Sequence, residues 1–155
     1  MEIEIIQTKD AARLSKLNKE VQELHFRLYP EYFKPYNFED VCLFFQKEIS
    51  NPTFLFYIVV KGKEDIGYLW IEVKEYKENA FKKAYSSIYI HHLNVKEEYR
   101  NRGVGRALIE KVRSIAKTKE IHKIELDYWA NNESAQKFYE KHGYKKYREF
   151  SFREI

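Results

Sequence analysis

Hydrophobic and polar positions follow two different periods along this chain. Residues 2–7 alternate with a period of two, which predicts a strand, and Asp10 can cap a helix that runs to about Leu28. A second helix is predicted at about 39–49, where the spacing of apolar residues is again helical. The period of two then returns and predicts three consecutive antiparallel strands, at 53–61, 66–76 and 85–95.

The second half of the chain alternates helix and strand. Helical spacing over 103–118 precedes an alternating segment at 122–129, and a strand reached through a helix implies a parallel neighbour. A last helix is predicted from near Asn132 to Gly143, a glycine suited to a left-handed cap, with a closing strand at about 144–153. The pattern predicts an α+β fold whose mixed, mostly antiparallel sheet has one parallel strand pair and helices on both faces.

Composition limits the class of protein. With 155 residues, 44% of them hydrophobic and 17% aromatic, the chain is expected to form one globular domain over 1–155. The opening MEIEIIQTKD lacks the basic flank and apolar core of a signal peptide, and no apolar run reaches the roughly 18 residues of a membrane span. The single cysteine, Cys42, excludes an internal disulfide and a thiolate metal cluster. We expect a cytoplasmic protein without a membrane anchor or a metal.

Charge is unevenly distributed. Residues 1–95 carry 13 Lys and Arg against 14 Asp and Glu, a net of −1, whereas residues 96–155 carry 15 against 10, a net of +5. The positive half suits a polyanionic ligand, although a solvated helical surface would give the same asymmetry. Nucleic acid is not the expected partner, because the chain has no surface pattern of interleaved basic and aromatic residues.

A glycine loop connects the third strand of the meander to the following helix. If this strand pairs in parallel with 122–129, the loop lies at a carboxyl end of the sheet, where open sheets bind ligands. Gly103 and Gly105 permit close approach of the main chain, and the helix start directs unpaired N–H groups into the same space. The loop therefore predicts a diphosphate site. Its residues are Arg100, Asn101, Arg102, Gly103, Val104, Gly105 and Arg106.

Two motifs together resemble the GNAT superfamily of acetyl-CoA dependent N-acetyltransferases. The first is RNRGVG preceded by LNV, and the second is N-x-x-A-x-x-F-Y-x-x-x-G-Y at 132–144. The resemblance implies a GNAT-like sheet and acetyl-CoA as cosubstrate, with the loop amides on its pyrophosphate. It also implies that the backbone around Leu93, Asn94 and Val95 pairs with the pantetheine arm, that Asn132 contacts the cofactor, and that Tyr139 lies beside its sulfur.

Acetyl transfer to an amine requires three groups. A backbone N–H near Leu93 or Asn94 would stabilise the oxyanion, and Tyr139 is the candidate general acid for the leaving thiolate. His91 is the favoured general base, where family members that use a strand carboxylate carry an acidic residue; His92 or a water relay is the alternative. Neighbouring strand residues face opposite ways, so at most one histidine should reach the cleft unless a bulge intervenes.

The acceptor stays open in the sequence. A small-molecule amine, a peptide or protein N-terminus and a lysine side chain would all suit the same apparatus, and a non-catalytic module that senses coenzyme A or binds an acidic partner is a further alternative. The aromatic segment from Tyr29 to Phe38 either anchors a long connection or shapes the amine pocket. Cys42 is expected to pack in a helix, and a homodimer could complete the acceptor groove.

Overall fold

The computed structural model describes residues 1–155 and contains five strands and four α-helices in the order that the sequence pattern predicts up to residue 143. A single 3₁₀ turn at Glu97–Tyr99 lies between the fourth strand and the third helix. The elements are β1 (Glu4–Gln7), α1 (Ala11–Leu28), α2 (Phe38–Glu48), β2 (Phe54–Lys61), β3 (Glu64–Tyr76), β4 (Tyr85–Val95), α3 (Val104–Thr118), β5 (Ile124–Leu126) and α4 (Glu133–Lys141).

The five strands form one sheet in the order β1-β2-β3-β4-β5. The first three neighbour pairs are antiparallel; β2, β3 and β4 follow one another without an intervening helix, whereas α1 and α2 lie between β1 and β2. The fourth pair, β4 with β5, is parallel, because α3 carries the chain back across the sheet before β5 begins. The predicted α+β class with one parallel pair is confirmed.

Both faces of the sheet are covered by helices, and each face has its own core. Alternate residues of β2 and β3 point to opposite faces, so Ile58 and Tyr68 pack with Leu14 of α1 whereas Leu69 packs with Leu108 of α3. Phe45 of α2 joins the first core. Tyr139 of α4 joins the second core, which places α3 and α4 on the face opposite α1 and α2.

Helix starts lie where short polar side chains can cap them. The Asp10 carboxylate accepts the Arg13 amide at 3.0 Å, which confirms the predicted start of α1. Asn37 caps α2 in the same way. At the other end of the chain, Gly143 has a φ of +85°, the left-handed conformation expected of a glycine after a helix.

The predicted closing strand at 144–153 is wrong. The segment has no regular secondary structure, and Phe150 and Phe152 are exposed. Its charged residues come in adjacent pairs, KK and RE, so no continuous apolar face exists to hold it on the sheet. The Tyr147 hydroxyl instead donates to the Glu125 carboxylate on β5. None of the helices in the chain combines the length and apolar character needed to cross a bilayer.

Candidate functional site

The parallel strands β4 and β5 separate after three residue pairs. The last pair joins Ile90 to Leu126, yet β4 continues to Val95 beside β3. Residues 91–95 therefore have a free edge where β5 has already turned away. This gap opens at the carboxyl ends of the two parallel strands, the place where open sheets bind ligands.

A β-bulge lies at the first residue of this free edge. Trp70 of β3 pairs with His92 and Ile71 pairs with Ile90, so His91 is the extra residue on β4. The bulge shifts the alternation by one, and both imidazole rings lie near Trp70, with ring centroids 4.4 Å away for His91 and 5.0 Å for His92. Because of this bulge, the two adjacent histidines do not face opposite ways. Both lie on the sheet face that α1 and α2 cover.

The backbone of the free edge presents polar groups to the gap. Lys96 donates its amide to the Ile66 carbonyl at 2.9 Å, which fixes the ladder alternation between β3 and the end of β4. By this alternation Asn94 pairs its backbone with β3, whereas the N–H and C=O groups of Leu93 and Val95 point toward the gap. Of the two residues considered for an oxyanion donor, Leu93 is the one whose N–H faces this space.

Asn94 has a different role in the structure. Its side chain is buried and donates from Nδ2 to the Leu17 carbonyl of α1 at 2.9 Å. This bond ties the end of β4 to the helix layer, so the free edge is held in position on the α1 side.

The loop after β4 presents six consecutive amides with no protein acceptor. The N–H groups of residues 101–106 donate to no atom of the protein, whereas the Arg100 amide donates to Glu97 at 3.1 Å and the Ala107 amide to Gly103 at 3.0 Å. The first turn of any helix leaves amides unpaired, and here the preceding loop lengthens the run. Exposed amides at the positive end of a helix dipole attract anions.

The two loop glycines are required for different reasons. Gly103 has a φ of +85°, in the left-handed region, with open space where a side chain would project. Gly105 lies inside α3, and a Cβ there would come within 2.8 Å of Cε2 of Phe138. Its missing side chain therefore lets α4 pack against the loop helix, which gives the Asn132–Tyr144 motif a physical connection to the glycine motif.

The three loop arginines are placed differently. The Arg100 guanidinium donates to the Val95 carbonyl at 2.9 Å and pairs with Glu20 of α1 at 3.3 Å, so its side chain fastens the loop to the strand end. Arg102 lies over the Tyr99 ring, and neither Arg102 nor Arg106 forms an ion pair. These two exposed side chains supply the uncompensated positive charge at the loop.

Tyr139 lies on the β5 side of the gap. Its ring stacks on Tyr128, just beyond β5, and touches Tyr144 edge-on, while its hydroxyl has no protein partner. Burial, with a smaller contribution from Tyr144, raises the pKa of Tyr139 above its ordinary value, so the phenol keeps its proton at neutral pH. Asn132 is also buried, but its Oδ1 is used to cap α4 through the Ala135 amide at 3.2 Å.

The two histidines have separate hydrogen-bond partners. His91 Nε2 lies 2.7 Å from Oε2 of Glu72 on β3, and His92 Nδ1 lies 2.7 Å from the Tyr68 hydroxyl. Burial lowers the pKa of His91, and the Glu72 carboxylate partly offsets this. Burial, together with the nearby His91 and His25, lowers the pKa of His92 to about 3. Both rings are therefore neutral at pH 7.

The aromatic connection between α1 and α2 divides into two parts. Tyr36 is an anchor, since its hydroxyl donates to the Ser15 carbonyl at 2.9 Å. The rings of Tyr29, Tyr32 and Phe33 instead surround Trp129, which follows β5.

Trp129 is 38% exposed, and the Asn131 amide donates to the Tyr29 hydroxyl at 2.9 Å. These contacts put an aromatic wall beside the segment where β5 turns away. Cys42 packs beside the α1–α2 core, as expected.

Sequence reasoning did not find Glu72, Trp129 or the contact between Phe138 and Gly105. Glu72 sits on a strand that reads as an ordinary alternating segment, and its link to His91 arises only from strand register. Trp129 is one of only two tryptophans in the chain, which marks it as a residue to consider. Its aromatic neighbours, however, lie about 100 positions earlier, so the sequence around Trp129 does not show the contact. No three His, Cys, Asp or Glu side chains are grouped as metal ligands would be.

The model of the acetyltransferase (GNAT) family matches residues 18–144. This range includes β4, the glycine loop, β5 and α4, which together form the gap and the loop of unpaired amides. The match covers most of the chain.

Solved structures share the fold over nearly the whole chain. A tetramutant of the BH1408 protein from Bacillus halodurans superposes with a TM-score of 0.87 at 22% identity, covering 100% of both chains. AAC(6')-Iy, solved with the bisubstrate analog CoA-S-monomethyl-acetylneamine, gives a TM-score of 0.72 at 16% identity, covering 100% of this chain and 99% of that one. A predicted acetyltransferase from Clostridium acetobutylicum, solved with acetyl-CoA, gives 0.72 at 18% identity over 99% and 96%.

The contact between Gly105 and Phe138 generates a stability prediction. In an open helix, Gly→Ala would stabilise by about 1 kcal/mol, but here the new methyl must displace Phe138, so we expect Gly105→Ala to cost roughly 1–2 kcal/mol. Urea unfolding measures this cost, and Ser114→Ala on the exposed side of α3 is the control. Phe138→Leu removes the clashing atoms, so the double variant should regain most of the loss; fully additive costs would contradict the contact.

Proposed function

The chain belongs to the GNAT family of acetyltransferases, and we propose that it moves an acetyl group from acetyl-CoA to a primary amine of a small molecule or peptide. The amine attacks the thioester directly, with no covalent acyl-enzyme. Acyl transfer follows from the family, and the amine acceptor is the part that the proposal adds.

The observation that carries the proposal is the run of unengaged amides at residues 101–106, placed at the mouth of the strand gap. A diphosphate can accept several of these N–H groups, and the exposed Arg102 and Arg106 add charge where they are needed. Such a ligand would direct an attached thioester arm along the free edge of β4. The residues present therefore fit acetyl-CoA, which would supply the activated acetyl group.

The free edge suits the rest of the cofactor. An extended amide-containing arm can pair with the backbone groups of Leu93 and Val95 as an added strand would, although the Val95 carbonyl already accepts a bond from Arg100. Asn132, which follows β5 and caps α4, would contact the cofactor near this arm.

The chemistry needs a donor at each end of the bond that breaks. The Leu93 N–H would stabilise charge on the acyl oxygen, because it points into the gap and has no partner on β3. The protonated Tyr139 phenol would supply a proton to the departing sulfur. His91 would accept the proton of the incoming amine, since its imidazole is neutral at pH 7.

The surroundings of the histidines support a cationic acceptor. Glu72 and Asp127 place two carboxylates near His91 against the single ammonium of Lys74, and the Tyr89 hydroxyl holds Asp127 at 2.5 Å. The aromatic wall around Trp129 offers ring faces that can contact an ammonium group or an apolar body. Small amines and the amino groups of peptides both fit this chemistry. AAC(6')-Iy was solved with a CoA–neamine conjugate, so an aminoglycoside belongs among the acceptors to be tested.

Gly103→Glu tests the diphosphate site against a matched control. Gly103 and Gly62 both have positive φ, +85° and +61°, and neither would bring a Cβ within 4 Å of another atom. The same substitution at either site therefore imposes similar strain, but only Gly103→Glu adds a negative charge to the loop. Since like charges about 4 Å apart near a surface repel by about 4 kcal/mol, we expect acetyl-CoA affinity to fall at least about 100-fold.

Isothermal titration calorimetry with acetyl-CoA measures this change, and Gly62→Glu should bind as the unaltered protein does. Equal affinity for both variants would contradict the assignment of the pyrophosphate to this loop.

Tyr139→Phe tests the proposed acid. Removing the hydroxyl while keeping the ring should lower kcat about 100-fold or more and leave acetyl-CoA affinity unchanged. The assay follows free thiol release with a panel of acceptors: alkyl monoamines and diamines, neamine, and peptides with a free N-terminus or an internal lysine. Tyr144→Phe, which removes a neighbouring hydroxyl from the same aromatic group, is the control. If no panel member turns over and Tyr139→Phe changes nothing, a non-catalytic module that binds coenzyme A becomes the better interpretation.

A further inference from the structure

We propose that Glu72 is the positioning residue that makes His91 the general base, and that the neighbouring His92 is held as a permanent hydrogen-bond donor. This proposal rests on the proposed acetyl transfer. The two adjacent histidines thereby have opposite roles: the ring of His91 accepts a proton, and the ring of His92 donates a hydrogen bond.

Glu72 fixes which nitrogen of His91 is free. A carboxylate can only accept a hydrogen bond, so the Nε2 of His91, 2.7 Å from Oε2 of Glu72, carries the ring proton. The other nitrogen, Nδ1, then has the lone pair and has no protein partner. Stacking on Trp70, with an interplanar angle of 17°, holds the ring in this orientation.

A second chain of bonds fixes His92 in the opposite sense. Asn18 donates from Nδ2 to the Tyr68 hydroxyl oxygen at 3.0 Å, so the single hydroxyl proton of Tyr68 is directed to Nδ1 of His92, 2.7 Å away. Burial raises the pKa of Tyr68, which keeps the phenol protonated. His92 therefore also carries its proton on Nε2, but here Nε2 is the nitrogen left over. It can donate a hydrogen bond and cannot accept a proton.

The charged groups around the two rings agree with this division. His91 faces Glu72 and Lys74 from β3 and Asp127 from the segment after β5, and the two carboxylates favour an imidazolium at this position. Lys74 opposes them and lies 3.8 Å from Glu72. Burial disfavours a positive charge on His92, and the nearby His91 and His25 disfavour it further. A transient imidazolium is therefore supported on His91 alone.

The resulting step balances in atoms and charge. A cationic acceptor first loses one proton to solvent, and one N–H proton of the resulting neutral amine then passes to Nδ1 of His91 as the amine nitrogen forms its bond to the acyl carbon. The carbon–sulfur bond breaks, its electron pair stays on sulfur, and the Tyr139 hydroxyl proton passes to that sulfur. The imidazolium at His91 is paired with Glu72 until a proton returns to Tyr139 through solvent.

Histidine tautomers can be read directly, without any acceptor. Long-range ¹H–¹⁵N NMR spectra of the whole protein at pH 7 and above should show both His91 and His92 as neutral rings protonated on Nε2. Glu72→Leu removes the acceptor for His91, and we expect His91 to become a mixture of tautomers while His92 is unchanged. Tyr68→Phe should affect His92 and leave His91 unchanged. A His91 ring protonated on Nδ1, or a His92 ring that becomes charged near pH 6, would overturn the proposal.

The pH dependence of kcat/KM distinguishes a residue that positions the base from one that only stabilises the fold. Removing the Glu72 charge lowers the pKa of His91 further, so in Glu72→Gln the rising limb of the pH profile of kcat/KM should shift to lower pH. The plateau of kcat/KM should also fall about tenfold or more, which is a part of the ~10²–10⁴ that a complete general base contributes. Glu75→Gln, an exposed residue of the same strand, is the matched control and should match the unaltered protein. His91→Gln should abolish the rising limb, whereas His92→Gln should lower the rate and keep the limb.

The outcomes separate this proposal from the proposed function. The acceptor used is the panel amine with the highest thiol release. If acetyl transfer proceeds but the rising limb of kcat/KM lies at the same pH in Glu72→Gln and Glu75→Gln, the role of Glu72 toward His91 is overturned, whereas the proposed acetyl transfer is supported. If no amine is acetylated while both tautomers are as stated, the proposed function fails and the hydrogen-bond assignment stands.

Discussion

The parting of β4 from β5 after Ile90 and Leu126 is the constraint on which the whole site depends. A sheet normally pairs its backbone groups, and an unpaired edge inside a fold must be stabilised by other contacts. Here β3 holds β4 as far as Val95, and Asn94 ties the strand end to α1. On the other side, the segment after β5 is held away by the aromatic wall around Trp129 and by the Tyr29 hydroxyl. The gap is thus maintained from both sides by the protein itself.

Charge and shape converge at the end of this gap. The left-handed Asn101 and Gly103 lengthen the run of free amides that begins α3, and Gly105 lets α4 approach so that Tyr139 lies beside the same space. In the proposed function, an anion bound by the loop would direct its attached arm along the free edge of β4 toward the gap. The histidines complete this arrangement from the opposite face of the sheet, since the bulge at His91 turns both rings toward Trp70.

Local signals in the sequence were sufficient for most of the fold but not for the relations across strands. Asp10, Asn132 and Gly143 act through bonds to residues a few positions away, so the helix boundaries could be predicted. The bulge could not, because nothing in YIHHLNV marks it and its position follows from the pairing of β3 with β4. The role of Gly105 was also hidden, since it depends on Phe138 of another helix. The strand prediction for 144–153 was wrong because strand propensity without an apolar face does not offset the conformational entropy lost when the chain is ordered.

An NMR titration of the uniformly ¹⁵N-labelled protein with acetyl-CoA measures most directly where the cofactor binds. If the loop binds the pyrophosphate, the largest amide shifts occur at residues 101–106 and at Leu93, with smaller changes around Tyr139, and amides on the β1 edge of the sheet stay unchanged. If acetyl-CoA binds and the amides of residues 101–106 and Leu93 do not shift, the ligand occupies another part of the molecule and this loop is not the diphosphate site.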